Sequence, residues 1–266
     1  LDINVFDKGK NIIELPEIDS IPEQFCFLVC GHWLKGDFGH DRKDIASTLR
    51  NFLETFKNTG NKRPALILKT SGAGFSVGDR EEILRKIRIT IGYSGLKNPP
   101  NIYFLHGDLT QKELNSLYNH PKVKAMVSFT HGEGFGRPLM EFSITGKPVI
   151  VSGWSGHMDF MSKYGILLKG SLQEVHQTAV WDKVILKGSK WFYADQGYAS
   201  SVLKEIWKNY KKHLERTRKQ TKYIKDNFTL DHMTKEFENI LEFVPKQTNL
   251  VLNNLPKLKK LENVNG

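Results

Sequence analysis

Short apolar runs alternate with amphipathic stretches from Phe25 to Leu168, and few folds tolerate that alternation. Phe25–Cys30 reads as a strand. Asp41–Lys57 reads as a helix, with Ile45, Leu49, Phe52, Leu53 and Phe56 on one stripe. Ala65–Lys69 is a second strand. Asp79 then stands as an N-cap with Glu82 three residues on, opening a helix through Ile83, Ile87 and Ile91. Asn101–Leu105 is a third strand, and Thr110–Glu113 spells a capping box before Leu114 and Leu117. Lys124–Ser128 follows as a strand, then a Gly-rich turn and a helix over Arg137–Thr145. Pro148–Ser152 and Gly165–Leu168 complete about six strands. Strands separated by helices and short loops predict an α/β fold with a doubly wound parallel sheet. Parallel strands bury both faces, which fits runs that are apolar throughout rather than alternating.

At 266 residues and 39% hydrophobic content the chain can fill the core of one large domain. The expected limits are a linker or edge segment over 1–20, the α/β domain with its C-terminal helices over 21–243, and a polar, basic tail over 244–266. No apolar run reaches the roughly 18–20 residues of a membrane span, and the opening segment does not read as a secretory leader. Cys26 and Cys30 share one strand face about 13 Å apart, too far for a disulfide. A reducing, cytoplasmic setting is therefore expected. The net charge is +10, which favours phosphate-bearing ligands. Lys204–Lys225 concentrates it in what reads as one basic helix, with Leu203, Ile206, Trp207, Tyr210 and Leu214 as its apolar face. That helix is either a solvated surface or a docking element for an anionic membrane surface or a partner chain. Net charge alone favours nucleic acid, and none is expected as a partner.

In doubly wound sheets ligands bind beyond the carboxyl ends of the strands. The loops to search are therefore Gly31–His40, Thr70–Gly78, His106–Leu109 and Phe129–Gly136. The last of these leads into the most informative segment, which runs from Thr130 through Gly132, Glu133, Gly134, Phe135, Gly136, Arg137 and Pro138 to Glu141. Glycines let a backbone approach a ligand closely, and a helix start beyond them presents unpaired N–H groups to an anion. A carboxylate one turn into that helix can accept two hydrogen bonds from a vicinal diol. Taken alone, the same glycines describe an ordinary tight strand–helix turn, and Glu141 a surface residue.

The longer stretch is more specific. Glu133–Glu141 followed by Gly146-Lys147-Pro148-Val149-Ile150 resembles the Glu-x7-Glu segment of retaining glycosyltransferases of the GT-B fold, the glycosyl transferases group 1 type. Their pattern is roughly E-G-F-G-x-P-x-x-E-x-x-x-x-G-x-P-V-I, and each fixed position is matched. Phe25–Gly31 is similar to the opening strand and glycine of their C-terminal, nucleotide-sugar-binding domain. Asn101–Asp108 with Glu113, Leu114 and Leu117 is similar to a later segment, and Trp191-x-x-x-Asp195 to a helix entry near the end. The resemblance covers about Ile21 to Leu241.

It implies a Rossmann-like half of a GT-B fold, binding a nucleotide-sugar as donor substrate rather than a cofactor. Glu141 would hold the ribose hydroxyls, and Glu133 would lie at the transferred sugar. The backbone at Gly134, Phe135, Gly136 and Arg137 would meet sugar hydroxyls or the distal phosphate, and Gly107 and Asp108 would meet the base. In this family a Lys and an Arg after the first strand neutralise the diphosphate. Lys43, in Asp41-Arg42-Lys43, fits the Lys, and Gly31 would line the same donor site. The Arg position is His32 here, so Lys35 or Arg42 would supply the second charge. No D-x-D triplet is present and no metal is expected. GT-B enzymes have two such domains, so the acceptor-binding domain is expected on another chain or in a missing part, with the acceptor unknown. The alternatives are a non-catalytic nucleotide- or sugar-binding subunit and another doubly wound protein, such as a sugar-nucleotide epimerase.

Overall fold

The computed structural model describes residues 1–34 and 38–243. Six strands form one parallel sheet: β1 (Cys26–His32), β2 (Ala65–Ser71), β3 (Ile102–Leu105), β4 (Val123–Ser128), β5 (Val149–Ser152) and β6 (Ile166–Leu168). Their spatial order is β3-β2-β1-β4-β5-β6. The order reverses between β1 and β4, and this is the switch point where doubly wound sheets open a crevice. Helices α1 (Pro16–Asp19), α2 (Ile45–Phe56), α3 (Val77–Tyr93), α4 (Gln111–Asn119), α5 (Arg137–Ser143) and α6 (Met158–Met161) lie between the strands or before them. An antiparallel hairpin of β7 (Gly170–Glu174) and β8 (Lys190–Ala194) follows, then α7 (Gln196–Lys208), α8 (Tyr210–Asn227) and α9 (Leu230–Glu242). The hairpin has no counterpart in the sequence reading.

Alternation along β1 divides the core. Phe27 and Val29 face α2, α3 and α7, packing with Leu49, Phe52, Ile83 and Leu203. Cys26 and Leu28 face α4, α5, α6 and α8, packing with Tyr118, Phe142, Phe160 and Ile224. Both cysteines are free. Residues 1–20 add no strand to the sheet. Phe6 and Ile18 are buried against the α4–α5 side, and Asn119 Nδ2 donates to the Asp7 carbonyl at 3.0 Å. Among the described residues no helix is long and apolar enough to cross a membrane.

Three boundaries differ from expectation. Helix α2 begins at Ile45 rather than Asp41, because Asp44 sits in the left-handed region at φ 47° and breaks the turn before it. The cap of α3 is Ser76, whose Oγ accepts from the Asp79 amide at 3.1 Å. The Asp79 carboxylate instead accepts from the Gly72 amide at 3.0 Å and pairs with His106 at 2.9 Å. The basic stretch 204–225 is two helices, not one. Asn209, at φ −117° and ψ 28°, ends α7 and starts α8, which lets Ile206 and Ile224 reach opposite faces of the sheet. Lys35 and the tail 244–266 lie outside the described residues.

Candidate functional site

The carboxyl ends of β1 and β4 converge on one carboxylate. The Glu133 side chain is almost fully buried, with Lys43 Nζ 2.6 Å from Oε1 and Arg42 Nη1 3.2 Å from Oε2. Burial raises a carboxyl, but the Lys43 and Arg42 charges outweigh it and hold Glu133 below the usual range. The cations come from the turn between β1 and α2. Its fold is pinned by the Arg42 carbonyl, which accepts from the His131 amide at 2.8 Å and from Thr130 Oγ1 at 3.2 Å. The Lys43 stem packs on Gly31. A buried pair of this kind persists only when its remaining valences are met. Arg42 meets one of them by donating to the Gly132 carbonyl at 2.8 Å.

The loop that carries Glu133 is held from behind by the turn after β5, which the sequence reading passed over. Ser155 Oγ accepts from the Glu133 amide at 3.0 Å and donates to its carbonyl at 2.7 Å. Ser155 sits at φ 87°, an uncommon conformation for a residue with a Cβ. A Cβ on Gly156 would stand 1.9 Å from the Gly134 carbonyl oxygen, so only glycine allows the two loops to touch. His157 is fully buried; Nε2 donates to the Ser152 carbonyl at 2.6 Å, and burial lowers its pKa. The available signal was positional: Gly153, Ser155 and Gly156 follow a strand's carboxyl end, where this fold keeps its ligands.

Ahead of α5 the backbone is open. The amides of Gly134, Phe135 and Gly136 donate to nothing among the described residues. Gly136 caps the helix at φ 87°. Glu141 lies on the first turns of α5, beneath the loop and nearly inaccessible. Arg137 Nε donates to its Oε1 at 2.8 Å, while its Oε2 is buried without a hydrogen-bond partner. Burial pushes the Glu141 carboxyl up to about 7, against a weaker opposing pull from Arg137.

The remaining expected residues fall into a second group. His32 is exposed at the end of β1, its Nδ1 3.0 Å from Ser71 Oγ and 3.2 Å from the Gly72 carbonyl. Gly107, at φ 114°, takes the Lys69 ammonium on its carbonyl at 2.5 Å, with Asp108 next in chain. Burial lowers the Lys69 pKa, and Lys69 also lies over the Phe75 ring at 5.5 Å. Lys43, Arg42, Glu133 and the open amides are thus together at the switch point, with Gly107 and Asp108 two strands away at the end of β3. Among the described residues no three His, Cys, Asp or Glu side chains converge as metal ligands.

No protein-family model and no curated protein sequence matches this chain. Solved structures do. Sucrose-phosphate synthase from Thermosynechococcus elongatus superposes over 91% of this chain at a TM-score of 0.63 and 14% identity. The Anabaena protein HepE, solved with UDP-glucose, does so over 91% at 0.62 and 15% identity. The fold is the Rossmann-like half of a GT-B protein. The chain spans 50% of the synthase and 55% of HepE. It spans 99% of the separately solved C-terminal domain of LpcC, a Francisella tularensis group 1 family glycosyl transferase, covering 86% of this chain at 0.53 and 13% identity. At such identities the likeness is one of fold.

Proposed function

We propose that this chain is the donor-binding half of a retaining, metal-independent glycosyltransferase. It would move a sugar from a nucleotide-sugar to an acceptor bound by a second domain or partner chain. The observation that carries the reading is the Lys43–Glu133–Arg42 cluster beside the open amides of Gly134, Phe135 and Gly136. The leaving group of such a transfer is a nucleoside diphosphate, whose developing charge needs fixed cations and N–H donors. Lys43 and Arg42 are prepositioned for it, with Glu133 holding them until a diphosphate draws them away. Glu141 Oε2 is a buried acceptor awaiting a donor, and a ribose hydroxyl supplies one. Gly107 and Asp108 flank the place for a base. HepE was solved with UDP-glucose, which makes UDP-sugars the first donors to try.

The sheet's rim supports a facing partner. Leu34, Phe75, Phe135 and Trp154 follow β1, β2, β4 and β5 in turn, and each is 41–45% exposed. Apolar side chains in such a row are covered when a second domain closes over them. Helix α9 adds Met233, Phe237 and Ile240 on a wholly unburied face. A cytoplasmic protein with peripheral contact to an anionic membrane through 204–225 fits the charge of α7 and α8. A non-catalytic nucleotide-binding subunit is the second reading, favoured by the full engagement of Glu133 with its two cations.

Calorimetry with UDP-, GDP- and ADP-sugars tests the assignment. One of them binds, and Glu141→Ala weakens it by about 1.5–3 kcal/mol, the range for a hydrogen bond to a charged group. The chain alone transfers no sugar, since orienting donor against acceptor accounts for on the order of 7–11 kcal/mol of barrier lowering. Unchanged affinity in a folded Glu141→Ala variant removes the ribose assignment, and efficient transfer by the isolated chain removes the half-enzyme reading.

A further inference from the structure

A cleft of about 790 Å³ opens on the α2–α3 side of the sheet, lined by none of Arg42, Lys43, Glu133 or Glu141. Its volume is in the range of small-ligand sites. Trp33, Ile83 and Ala73 form the apolar floor and wall, and Trp181 reaches over from the connection between β7 and β8. That connection is anchored by buried Val175 and Ala179. Trp181 is then locked in a tight turn: its amide donates to the Ile185 carbonyl at 3.0 Å and its carbonyl accepts from the Ile185 amide at 2.7 Å. The turn fixes the backbone that carries the indole, and the ring itself is 50% exposed, an apolar plate whose main-chain placement is preorganised for contact. Across from it stand Asp79, Glu82, Lys86 and His32. Glu82 is 3.3 Å from Lys86, which also lies over the Trp33 ring at 5.7 Å.

We propose that this cleft binds a neutral hexose unit of an oligosaccharide, stacked on the Trp181 indole and hydrogen-bonded by Glu82 and Lys86. The mixture of signs selects the class. A phosphate or sulfate meets the carboxylates of Asp79 and Glu82, and an ammonium ligand meets Lys86. An uncharged polyol satisfies both, donating hydroxyls to Glu82 and accepting from Lys86. The electron-rich indole face attracts the weakly positive C–H groups of a pyranose ring. His32 closes the cleft at the carboxyl end of β1, so a glycan held here approaches the Lys43–Glu133 cluster from the β2 side. Its role as the acceptor rests on the sugar-transfer reading; its binding does not.

The test uses the full chain with its tryptophans fluorine-labelled and titrated with short oligomers of glucose, mannose, galactose and N-acetylglucosamine, without nucleotide. The chain holds 5 tryptophans, so the Trp181 line is assigned from a Trp181→Phe variant and the others report that the fold is intact. At least one oligomer shifts the Trp181 line saturably. Trp181→Ala and Glu82→Gln each weaken that oligomer about tenfold, the size of one well-made contact, and leave UDP affinity unchanged. Sugar binding without UDP binding keeps the cleft and removes the nucleotide reading. UDP binding with no sugar shifting Trp181, or a sugar bound equally well by Trp181→Ala, overturns the proposal.

Discussion

Glu133 and Glu141 belong to one loop and the helix it leads into, and both side chains are almost wholly removed from water: 7% and 3% exposed. They meet opposite fates. Glu133 lies between Lys43 and Arg42 and stays ionised below the ordinary carboxyl range. Glu141 has an arginine hydrogen bond on one oxygen, no hydrogen-bond partner within normal geometry on the other, and a carboxyl that burial pushes up to about 7 against weaker pulls from Arg137, the N-terminal ammonium and Tyr118. Burial is common to the two, so burial does not decide the charge state; the number of cations delivered by another segment does. Those cations come from the β1–α2 turn, some 90 residues away in sequence. A completed pair stores and positions charge, whereas an unfinished one waits for a ligand to finish it.

The sharpest way to break the contrast is to empty the Glu133 pair. Lys43→Met keeps the stem over Gly31 but leaves Glu133 buried with Arg42 alone. Removing one partner of a buried pair costs about 3 kcal/mol or more, read as a lower urea midpoint at unchanged slope. On the donor-site proposal, UDP affinity in the folded fraction should fall far more than uridine affinity, because that proposal gives Lys43 to the diphosphate alone. Equal losses for the two ligands would mean that the variant damages the fold rather than the phosphate site.

Glu141 makes the opposite prediction, in pH rather than in contacts. Its folded pKa lies above the unfolded value, so the native state binds more protons between about pH 4.5 and 7. Stability from this group is therefore present below its unfolded pKa and lost as pH rises toward 7. The loss is on the order of 3 kcal/mol, and Glu141→Gln should abolish it by removing the titration. A Gln variant whose stability follows the same pH curve as the parent would show that another group is responsible.

The sequence made the sheet legible because parallel strands buried on both faces leave unbroken apolar runs, and all six lie where the runs do. The hairpin of β7 and β8 was not legible. Gly170–Glu174 is exposed along its length, so no apolar period marks it. Asp79 was misread as a cap because Ser76, three residues earlier, offers the same chemistry, and only the fold brings His106 to Asp79. In the site, Lys43 and Glu133 could be named one by one from their motifs. That they would neutralise each other needed the parallel pairing of β1 with β4, a contact no local pattern encodes. Ser155 and His157 were missed because they sit behind the loop, where side chains position other residues and carry no motif of their own.

The smallest effect distinguishes the two arginines. Arg42 and Arg137 each pair with one of the glutamates, and both are largely in water, with side chains 43% and 72% exposed. Exposed partners contribute little to stability, so Arg42→Ala and Arg137→Ala should each cost under about 1 kcal/mol. Their consequences for the carboxylates differ. Without Arg42, Glu133 keeps Lys43 at 2.6 Å and stays ionised through neutral pH. Without Arg137, Glu141 loses the hydrogen bond on Oε1 and the nearest pull against burial, so its carboxyl titrates higher still. Carbon-detected NMR of the glutamate carboxyls across a pH series reads both midpoints in the same sample. An upward move for Glu141 in Arg137→Ala, beside a nearly fixed Glu133 in Arg42→Ala, is the expected pattern. If both midpoints moved alike, the two sites would not be the finished and unfinished pairs that their geometry makes them.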